Sequence, residues 1–198
     1  NFLLNATAGI LIVAMTLMQA GGDMTAQEAG FLTIGYAVAI VAFIRVGEKL
    51  LQRFGPRKPM IWGSLIVGAS IVLLMPTNTT VETYRVLAVI SFTLFGLGLA
   101  FYATPSTDAA LSALPADQAG SGSGIYKMAS SLGASFGVAI SATVYTALSA
   151  DTGAVDWVEG MITYVGRHDN VLVREAAFAA YGVSLLFVVL AIVSIMTT

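Results

Sequence analysis

The sequence contains no cysteine and a single histidine, His168. Without cysteine there is no disulfide framework, no thiolate zinc site and no thiol nucleophile, and one histidine cannot build a multi-histidine metal site. Charge is also scarce, because Asp, Glu, Lys and Arg make up 10% of the chain, compared with about a quarter of a soluble domain. Hydrophobic residues make up 57%, and the mean hydropathy is +0.86. This composition predicts a protein that resides in a lipid bilayer.

Catalytic motifs are absent as well. The sequence shows no phosphate-binding loop, no paired catalytic carboxylates and no Ser/His/Asp arrangement. The run Gly120-x-Gly122-x-Gly124 stands at a helix start and follows no strand, so it is not a dinucleotide fingerprint. A formal net charge of -2 gives no sign of nucleic-acid binding. We therefore predict that the protein is not an enzyme and that it holds no cofactor or metal ion.

Apolar segments of about 20 residues, the length needed to cross a bilayer as a helix, recur along the whole chain. They predict an all-α polytopic membrane protein with six transmembrane helices, spans 1 to 6, at 2–20, 29–50, 59–76, 84–106, 122–149 and 174–196. Thr25 and Glu28 have the spacing of a capping box at the start of span 2. Because the chain begins and ends inside or beside hydrophobic runs, we expect it to be part of a longer polypeptide.

The longest connection, at 150–173, contains an amphipathic patch around Trp157 to Val165. It predicts either a segment that lies on the membrane surface or a loosely ordered loop.

Basic residues are concentrated in the connection between spans 2 and 3. Arg53, Arg57 and Lys58 lie there, with Lys49 just before, whereas the first and third connections contain no Lys or Arg. Cytoplasmic loops carry an excess of these residues. The asymmetry predicts that the connections after spans 2 and 4 and the C-terminus are cytoplasmic, and that the loop at 150–173 faces outward.

We single out four of the charged residues within or beside the predicted spans: Arg45 and Glu48 in span 2, Asp108 just after span 4 and Lys127 in span 5. Counted back from the cytoplasmic connections, Arg45, Asp108 and Lys127 lie roughly 10–15 Å from the loop ends, and Glu48 follows Arg45 by one turn. Intramembrane charges are functional candidates by default. We therefore predict a charge network that includes an Asp108–Lys127 pair. The alternative is that Lys127 and Arg45 extend to the lipid headgroups.

Helix breakers are concentrated in span 4, which contains Gly96, Gly98 and Pro105. Proline removes a backbone hydrogen bond and kinks a helix, and in membranes such irregularity is tolerated where it is buried in protein or lines a water-filled cavity. We predict a bendable, cavity-lining span with these residues as its hinge; a packing kink without a further role is the alternative. In span 5, Gly133-x-x-x-Gly137 predicts close packing against another helix.

Polar, aromatic and thioether side chains at candidate inner positions predict a ligand cavity. Such a lining suits amphipathic organic ligands, although for any single residue contact with lipid or a neighbouring helix is the more common role. The candidates are Asn5, Met15, Gln19, Tyr36, Phe95, Tyr102 and Tyr126.

Several stretches resemble a known family. RVGEKLLQRFGPRKP at 45–59 resembles the loop signature after the second helix of each half in major facilitator transporters, with Gln52-Arg53-Phe54-Gly55 in place of the usual Asp-Arg-x-Gly and with Arg57 and Lys58 behind it. The stretches YATPSTDAAL at 102–111, GIYKMASSLGASFGVAI at 124–140 and the opening NFLLN are more specific. Together they resemble the C-terminal part of the fourteen-helix drug:proton antiporters, in particular the NorB-type multidrug (quinolone) efflux pumps.

The resemblance implies the C-terminal six-helix half of a major facilitator fold, built from pseudosymmetric three-helix repeats. Spans 1 and 4 would face the cavity, spans 2 and 5 would flank it, and spans 3 and 6 would face lipid. The protein would be a multi-pass protein of the bacterial cytoplasmic membrane, monomeric at full length and completed by six to eight N-terminal helices of the same transporter. It would export amphipathic drugs in exchange for protons by alternating access.

The similar quaternary-ammonium pumps carry acidic residues where this sequence has Tyr126, Lys127 and Ser131. This difference favours zwitterionic or neutral amphipaths, such as quinolones, over strongly cationic substrates. In this half Asp108 and Glu48 are placed to bind protons; alternatively, an Asp108–Lys127 pair is a static latch and coupling resides in the missing half. A proton-coupled uptake symporter for a small organic solute and a non-transport membrane module remain the other candidate functions.

Overall fold

The computed structural model describes residues 1–150 and 170–197. In that part of the chain six helices are long and apolar enough to cross a membrane, as the sequence predicts. They are Phe2–Gly22 (span 1), Ala26–Phe54 (span 2), Arg57–Leu74 (span 3), Val81–Leu111 (span 4), Ala119–Ala150 (span 5) and Val171–Thr197 (span 6). A short 3-10 turn, Ala116–Gln118, precedes span 5. The predicted amphipathic patch at 157–165 lies outside the described residues.

At the starts of spans 2 and 4, polar capping residues extend the helix beyond the apolar segment that hydropathy identifies. Span 2 begins earlier than predicted, because the Thr25 hydroxyl accepts from the Glu28 N–H at 3.3 Å and the Glu28 carboxylate accepts from the Thr25 N–H at 2.9 Å. The predicted capping box is therefore confirmed. At the start of span 4, the Thr80 hydroxyl accepts from the Thr83 N–H at 3.4 Å. Hydropathy locates the apolar part of a helix, whereas these side chains determine where the helix begins.

Spans 1 and 2 are each interrupted by a short turn that hydropathy does not reveal. The helical pieces are Phe2–Ala6 and Gly9–Gly22 in span 1, and Ala26–Phe31 and Ile34–Phe54 in span 2. At both breaks a threonine hydroxyl donates to the carbonyl three residues earlier, Thr7 at 2.6 Å and Thr33 at 2.7 Å. Neighbouring amides also bond to the third residue back. The α-helical pattern is therefore replaced locally by a tighter 3-10 turn.

Span 4 is one uninterrupted helix that passes through the buried Pro105. Its glycines lie against other helices. A Cβ atom on Gly98 would lie 2.7 Å from the carbonyl oxygen of Gly63 in span 3, and one on Gly96 would overlap the backbone of Tyr36 in span 2. The structure thus assigns Gly96 and Gly98 to helix packing, while bending at Pro105 stays a prediction.

The small-residue pattern of span 5 makes the equivalent contact with span 1. A Cβ atom on Gly133 would overlap the carbonyl of Phe2, and one on Gly137 would overlap the carbonyl of Ala6. The close packing that Gly133-x-x-x-Gly137 predicts is therefore confirmed, with span 1 as the partner helix.

The contacts between helices repeat across the bundle. Span 4 packs most extensively against spans 2 and 3, and span 1 packs against spans 5 and 6. Exchanging spans 1, 2 and 3 with spans 4, 5 and 6 converts the first set of contacts into the second. This is the arrangement expected of two pseudosymmetric three-helix repeats.

Tyrosine hydroxyls connect three spans at the predicted outer end, opposite the basic connection. Tyr84 of span 4 and Tyr181 of span 6 are buried, and their hydroxyl oxygens share a hydrogen bond of 2.8 Å. The Tyr84 hydroxyl also donates to the carbonyl of Leu74, at the end of span 3, at 3.1 Å. The hydroxyl of Tyr145 in span 5 is buried too, but it finds no partner in the described part of the chain.

Replacing Gly137 with alanine is expected to force spans 1 and 5 apart. Overpacking of this kind lowers the free energy of unfolding by about 1–3 kcal/mol, measured by thermal unfolding of the complete protein in detergent. Gly124→Ala is the matched control on the same helix, because nothing lies within 4 Å of a Cβ atom there. Equal stability of the two variants would contradict this packing.

Replacing Tyr84 with phenylalanine is expected to remove both of its hydrogen bonds and leave the buried Tyr181 hydroxyl without this partner. A loss of about 1–3 kcal/mol in the free energy of unfolding follows. Tyr145→Phe should leave stability unchanged or slightly higher, since that hydroxyl makes no hydrogen bond in the described residues. The same thermal unfolding measurement compares the two, and a larger loss for Tyr145→Phe would contradict the assignment.

Candidate functional site

A cavity of about 210 Å³ lies among spans 1, 2, 4 and 5. We call it the Lys127 cavity. It brings together four residues that the sequence analysis singled out, Asn5, Tyr102, Tyr126 and Lys127. The remaining lining residues are Asn1, Ile40, Ile44, Leu99, Ala100, Ala103, Thr107 and Ser130. One cation and a few polar groups therefore face a largely aliphatic wall.

A frame of hydrogen bonds holds one side of this cavity. The Asn1 amide donates to the hydroxyl of Ser130 and to the carbonyl of Tyr126 at 3.3 Å. The Asn5 amide donates to the Asn1 side-chain oxygen at 2.7 Å. The Tyr126 hydroxyl donates to the hydroxyl of Ser106 at 3.0 Å. Spans 1, 4 and 5 are thereby connected through side chains around the cavity.

The sequence analysis did not place Asn1, Ser106 or Ser130 in the site. Two of them could have been found from the sequence. Asn1 precedes the predicted Asn5 by four residues, and Ser130 follows the predicted Tyr126 by four residues. Residues four apart share one face of a helix. A search one helical turn before and after each predicted polar residue would have found both.

Lys127 is exposed within its cavity, and in the described part of the chain no carboxylate forms an ion pair with it. Asp108 instead lines a neighbouring groove of about 690 Å³ together with Glu48, Gln52 and Thr104. We call this the acidic groove. Thr107 lines both spaces, so it stands between the cation and the carboxylates.

The four predicted network charges are therefore not joined in this conformation. All four side chains are exposed, and among the described residues neither Asp108 with Lys127 nor Arg45 with Glu48 forms an ion pair. The residue count from the loop ends agrees with the structure in one respect: Asp108 and Lys127 lie near the same end of the bundle. The charge network stays a prediction.

Four predicted cavity residues lie elsewhere. Phe95 is 1% exposed, and its ring packs on Tyr36 with centroids 5.7 Å apart, between spans 4 and 2. A side chain so deeply buried offers no surface to a ligand in this conformation. Gln19 and Met15 lie in the C-terminal part of span 1, where the Gln19 amide donates to the Met15 carbonyl at 3.2 Å.

The predicted loop signature forms the turn between spans 2 and 3. Gly55 has a φ of 72°, and its N–H donates to the Leu51 carbonyl at 2.9 Å. The Arg57 guanidinium donates to the carbonyl of Met196 near the end of span 6. Gln52 faces the acidic groove, while Arg53 and Lys58 lie beside the Phe54 ring.

A second cavity, of about 310 Å³, was not predicted. It lies among spans 1, 3, 4 and 6, and its lining includes Leu3, Met60 and Ile195 as well as Arg57. Asn1 and Tyr102 line this cavity and the Lys127 cavity. They therefore form the wall between the two spaces.

Comparison with known proteins places these features in a family. The family model described as Major Facilitator Superfamily matches residues 1–197. The protein named Quinolone resistance protein NorB of Staphylococcus aureus strain MRSA252 is 49% identical over 161 residues, which cover 78% of this chain and 34% of that protein. The protein of the same name from strain JH9 is 49% identical over 151 residues, covering 75% of this chain and 32% of that protein.

The chain thus spans about a third of the length of the curated relatives that it matches. The family match covers nearly every residue of the chain, and within residues 1–150 and 170–197 six helices are long and apolar enough to cross a membrane. The chain belongs to the Major Facilitator Superfamily, as a multi-pass membrane protein.

Proposed function

We propose that this chain is the C-terminal six-helix part of a multidrug efflux transporter. The transporter exports amphipathic drugs, quinolones among them, across the bacterial cytoplasmic membrane in exchange for protons by alternating access. The observation that carries the proposal is the Lys127 cavity, where aliphatic side chains and a few polar groups line one space. That lining suits amphipathic organic molecules. The relatives named quinolone resistance proteins support the same substrate class.

Lys127 supplies the selectivity in this proposal. Quinolones carry a carboxylate, and an ammonium without a protein carboxylate as its partner can bind that group by a charge-assisted hydrogen bond. The Asn5 amide, also in the lining, offers a donor and an acceptor to the polar edge of a ligand. Ile40, Ile44 and Leu99 bury the apolar part of the molecule.

The acidic groove supplies the proton site. Asp108 and Glu48 line it next to the Lys127 cavity. When the two repeats rearrange, Asp108 can approach Lys127 or move away from it. In this proposal Asp108 is the carboxylate of this half that carries the transported proton.

The rest of the transporter covers the exposed faces of spans 2 and 5. These faces carry large apolar side chains, with Val41 of span 2 at 77% exposed and Phe136 of span 5 at 55%. N-terminal helices of the same polypeptide would pack there and close the cavity. In this arrangement the basic connection between spans 2 and 3 and the C-terminus are cytoplasmic, and the complete transporter is a monomer.

Replacing Lys127 with methionine is expected to weaken quinolone efflux. Loss of a charge-assisted hydrogen bond lowers affinity by about tenfold or more, so KM for a quinolone should rise by that factor in everted vesicles. Lys127→Arg keeps the cation and should retain most of the affinity. A neutral amphipath without a carboxylate serves as the second substrate, and its KM should not change. An equal rise for both substrates would rule out carboxylate recognition by Lys127.

Replacing Asp108 with asparagine is expected to abolish efflux driven by a pH gradient, because asparagine cannot bind and release a proton. Reconstituted full-length transporter would be assayed for drug export with an imposed gradient, and drug binding would be measured separately. Asp23→Asn, at an exposed position in the first connection, is the matched control and should transport normally. If Asp108→Asn still pumps drug at the wild-type rate, Asp108 has no coupling role.

A further inference from the structure

Four side chains meet at the turn between spans 2 and 3. The Phe54 ring packs edge-on against the Trp62 ring, with centroids 5.3 Å apart. The guanidinium carbon of Arg53 lies 5.2 Å from the centroid of the Phe54 ring, and the ammonium nitrogen of Lys58 lies 5.9 Å from it. Two cations are therefore held beside one aromatic ring. We call these residues the Phe54 cluster.

The backbone of the turn brings these side chains together. Phe54 is the last residue of span 2, and Gly55 follows with a φ of 72°, a value that favours glycine. Pro56 precedes Arg57, the first residue of span 3, and its fixed φ suits a helix start. Lys58 and Trp62, four residues apart on span 3, therefore face back towards the end of span 2.

The two cations of the cluster are exposed, and among the residues that the structure describes no carboxylate forms an ion pair with Arg53 or Lys58. Arg57 differs, because its guanidinium is engaged by the Met196 carbonyl. The aromatic ring restrains the two cations but leaves their N–H donors free for an external acceptor.

The surroundings of the cluster are those of a membrane interface. Phe54 is 37% exposed and Trp62 39% exposed, and Leu65, one turn further along span 3, is 54% exposed. Tryptophan is enriched at the level of the lipid headgroups. Cations therefore lie at the end of the bundle, with an apolar strip running from them towards the bilayer interior.

We infer that the Phe54 cluster binds the headgroup of an anionic phospholipid. The phosphodiester oxygens accept hydrogen bonds from the Arg53 guanidinium and the Lys58 ammonium, and an acyl chain lies along Trp62 and Leu65. An anionic lipid fits better than a zwitterionic one, because two unpaired cations face the headgroup and choline would add a third positive charge. The site lies outside both cavities and does not depend on what the protein transports.

Native mass spectrometry of the complete transporter tests this site, using phosphatidylglycerol and phosphatidylcholine with identical acyl chains. The wild-type protein should retain phosphatidylglycerol in preference. Arg53→Gln and Lys58→Gln should each weaken phosphatidylglycerol binding roughly fivefold, the effect expected of one basic residue at an anionic lipid surface. Phosphatidylcholine binding should not change.

Two further variants separate an organised site from general attraction by positive charge. Phe54→Leu keeps both cations but removes the ring, and it should weaken phosphatidylglycerol binding roughly two- to fivefold. Lys49→Gln removes the same charge as Lys58→Gln, one turn before Arg53, and should change binding at most about twofold because a solvated charge away from the phosphate is screened. Wild-type affinity in Phe54→Leu, or equal losses in Lys49→Gln and Lys58→Gln, would overturn the proposal.

Thermal unfolding of each variant confirms that the fold is intact. Lys58→Arg, which keeps the charge, should bind phosphatidylglycerol as the wild type does.

Discussion

Direct contact between helix backbones at glycine residues sets the positions of the other groups in this bundle. Lipid is as apolar as the helix surfaces, so helices in a bilayer associate by close packing and hydrogen bonding. Gly133 and Gly137 bring span 5 onto span 1, and Gly96 brings span 4 onto span 2. Ser130 lies about one turn before Gly133. The glycine contact therefore places span 5 close enough to span 1 for the Asn1 amide to reach the Ser130 hydroxyl.

Charge is divided between two adjacent spaces. Lys127 faces a cavity with aliphatic walls, while Glu48 and Asp108 face the neighbouring groove. In the proposed function, this division leaves the cation available to an external anion and the carboxylates available to protons, since neither is occupied by the other in this conformation. A permanent Asp108–Lys127 ion pair would hold both groups and prevent these roles.

Much of the architecture could be predicted from the sequence. Hydropathy gave six spans in the right order, and the small-residue spacing in span 5 correctly indicated a close helix contact. Three of the seven predicted cavity residues, Asn5, Tyr102 and Tyr126, line the Lys127 cavity; they could be singled out because polar and aromatic side chains are unusual in apolar spans. The placement of Phe95 and Tyr36 could not be predicted in this way. Residue counting gives the depth of a side chain in the membrane, but its direction around the helix depends on which neighbour the helix packs against.

The interruptions of spans 1 and 2 were not predicted either. Thr7 and Thr33 stand in apolar runs and leave the hydropathy of each span high. A threonine in a helix can bond to a preceding carbonyl without breaking the helix. Both threonines are followed two residues later by a glycine, Gly9 or Gly35, a difference from Thr16 that hydropathy does not register; the Thr16 hydroxyl bonds to Ile12 inside a continuous helix.

The threonine turns have a mechanical consequence. Bending a regular helix stretches its hydrogen bonds to the fourth residue back, but at Thr7 and Thr33 those bonds are already exchanged for bonds to the third residue. The direction of the first piece, Phe2–Ala6, is therefore set by its contacts with Gly133 and Gly137 of span 5 rather than by the helix that follows it. Through these contacts span 5 determines where Asn5 stands in the Lys127 cavity.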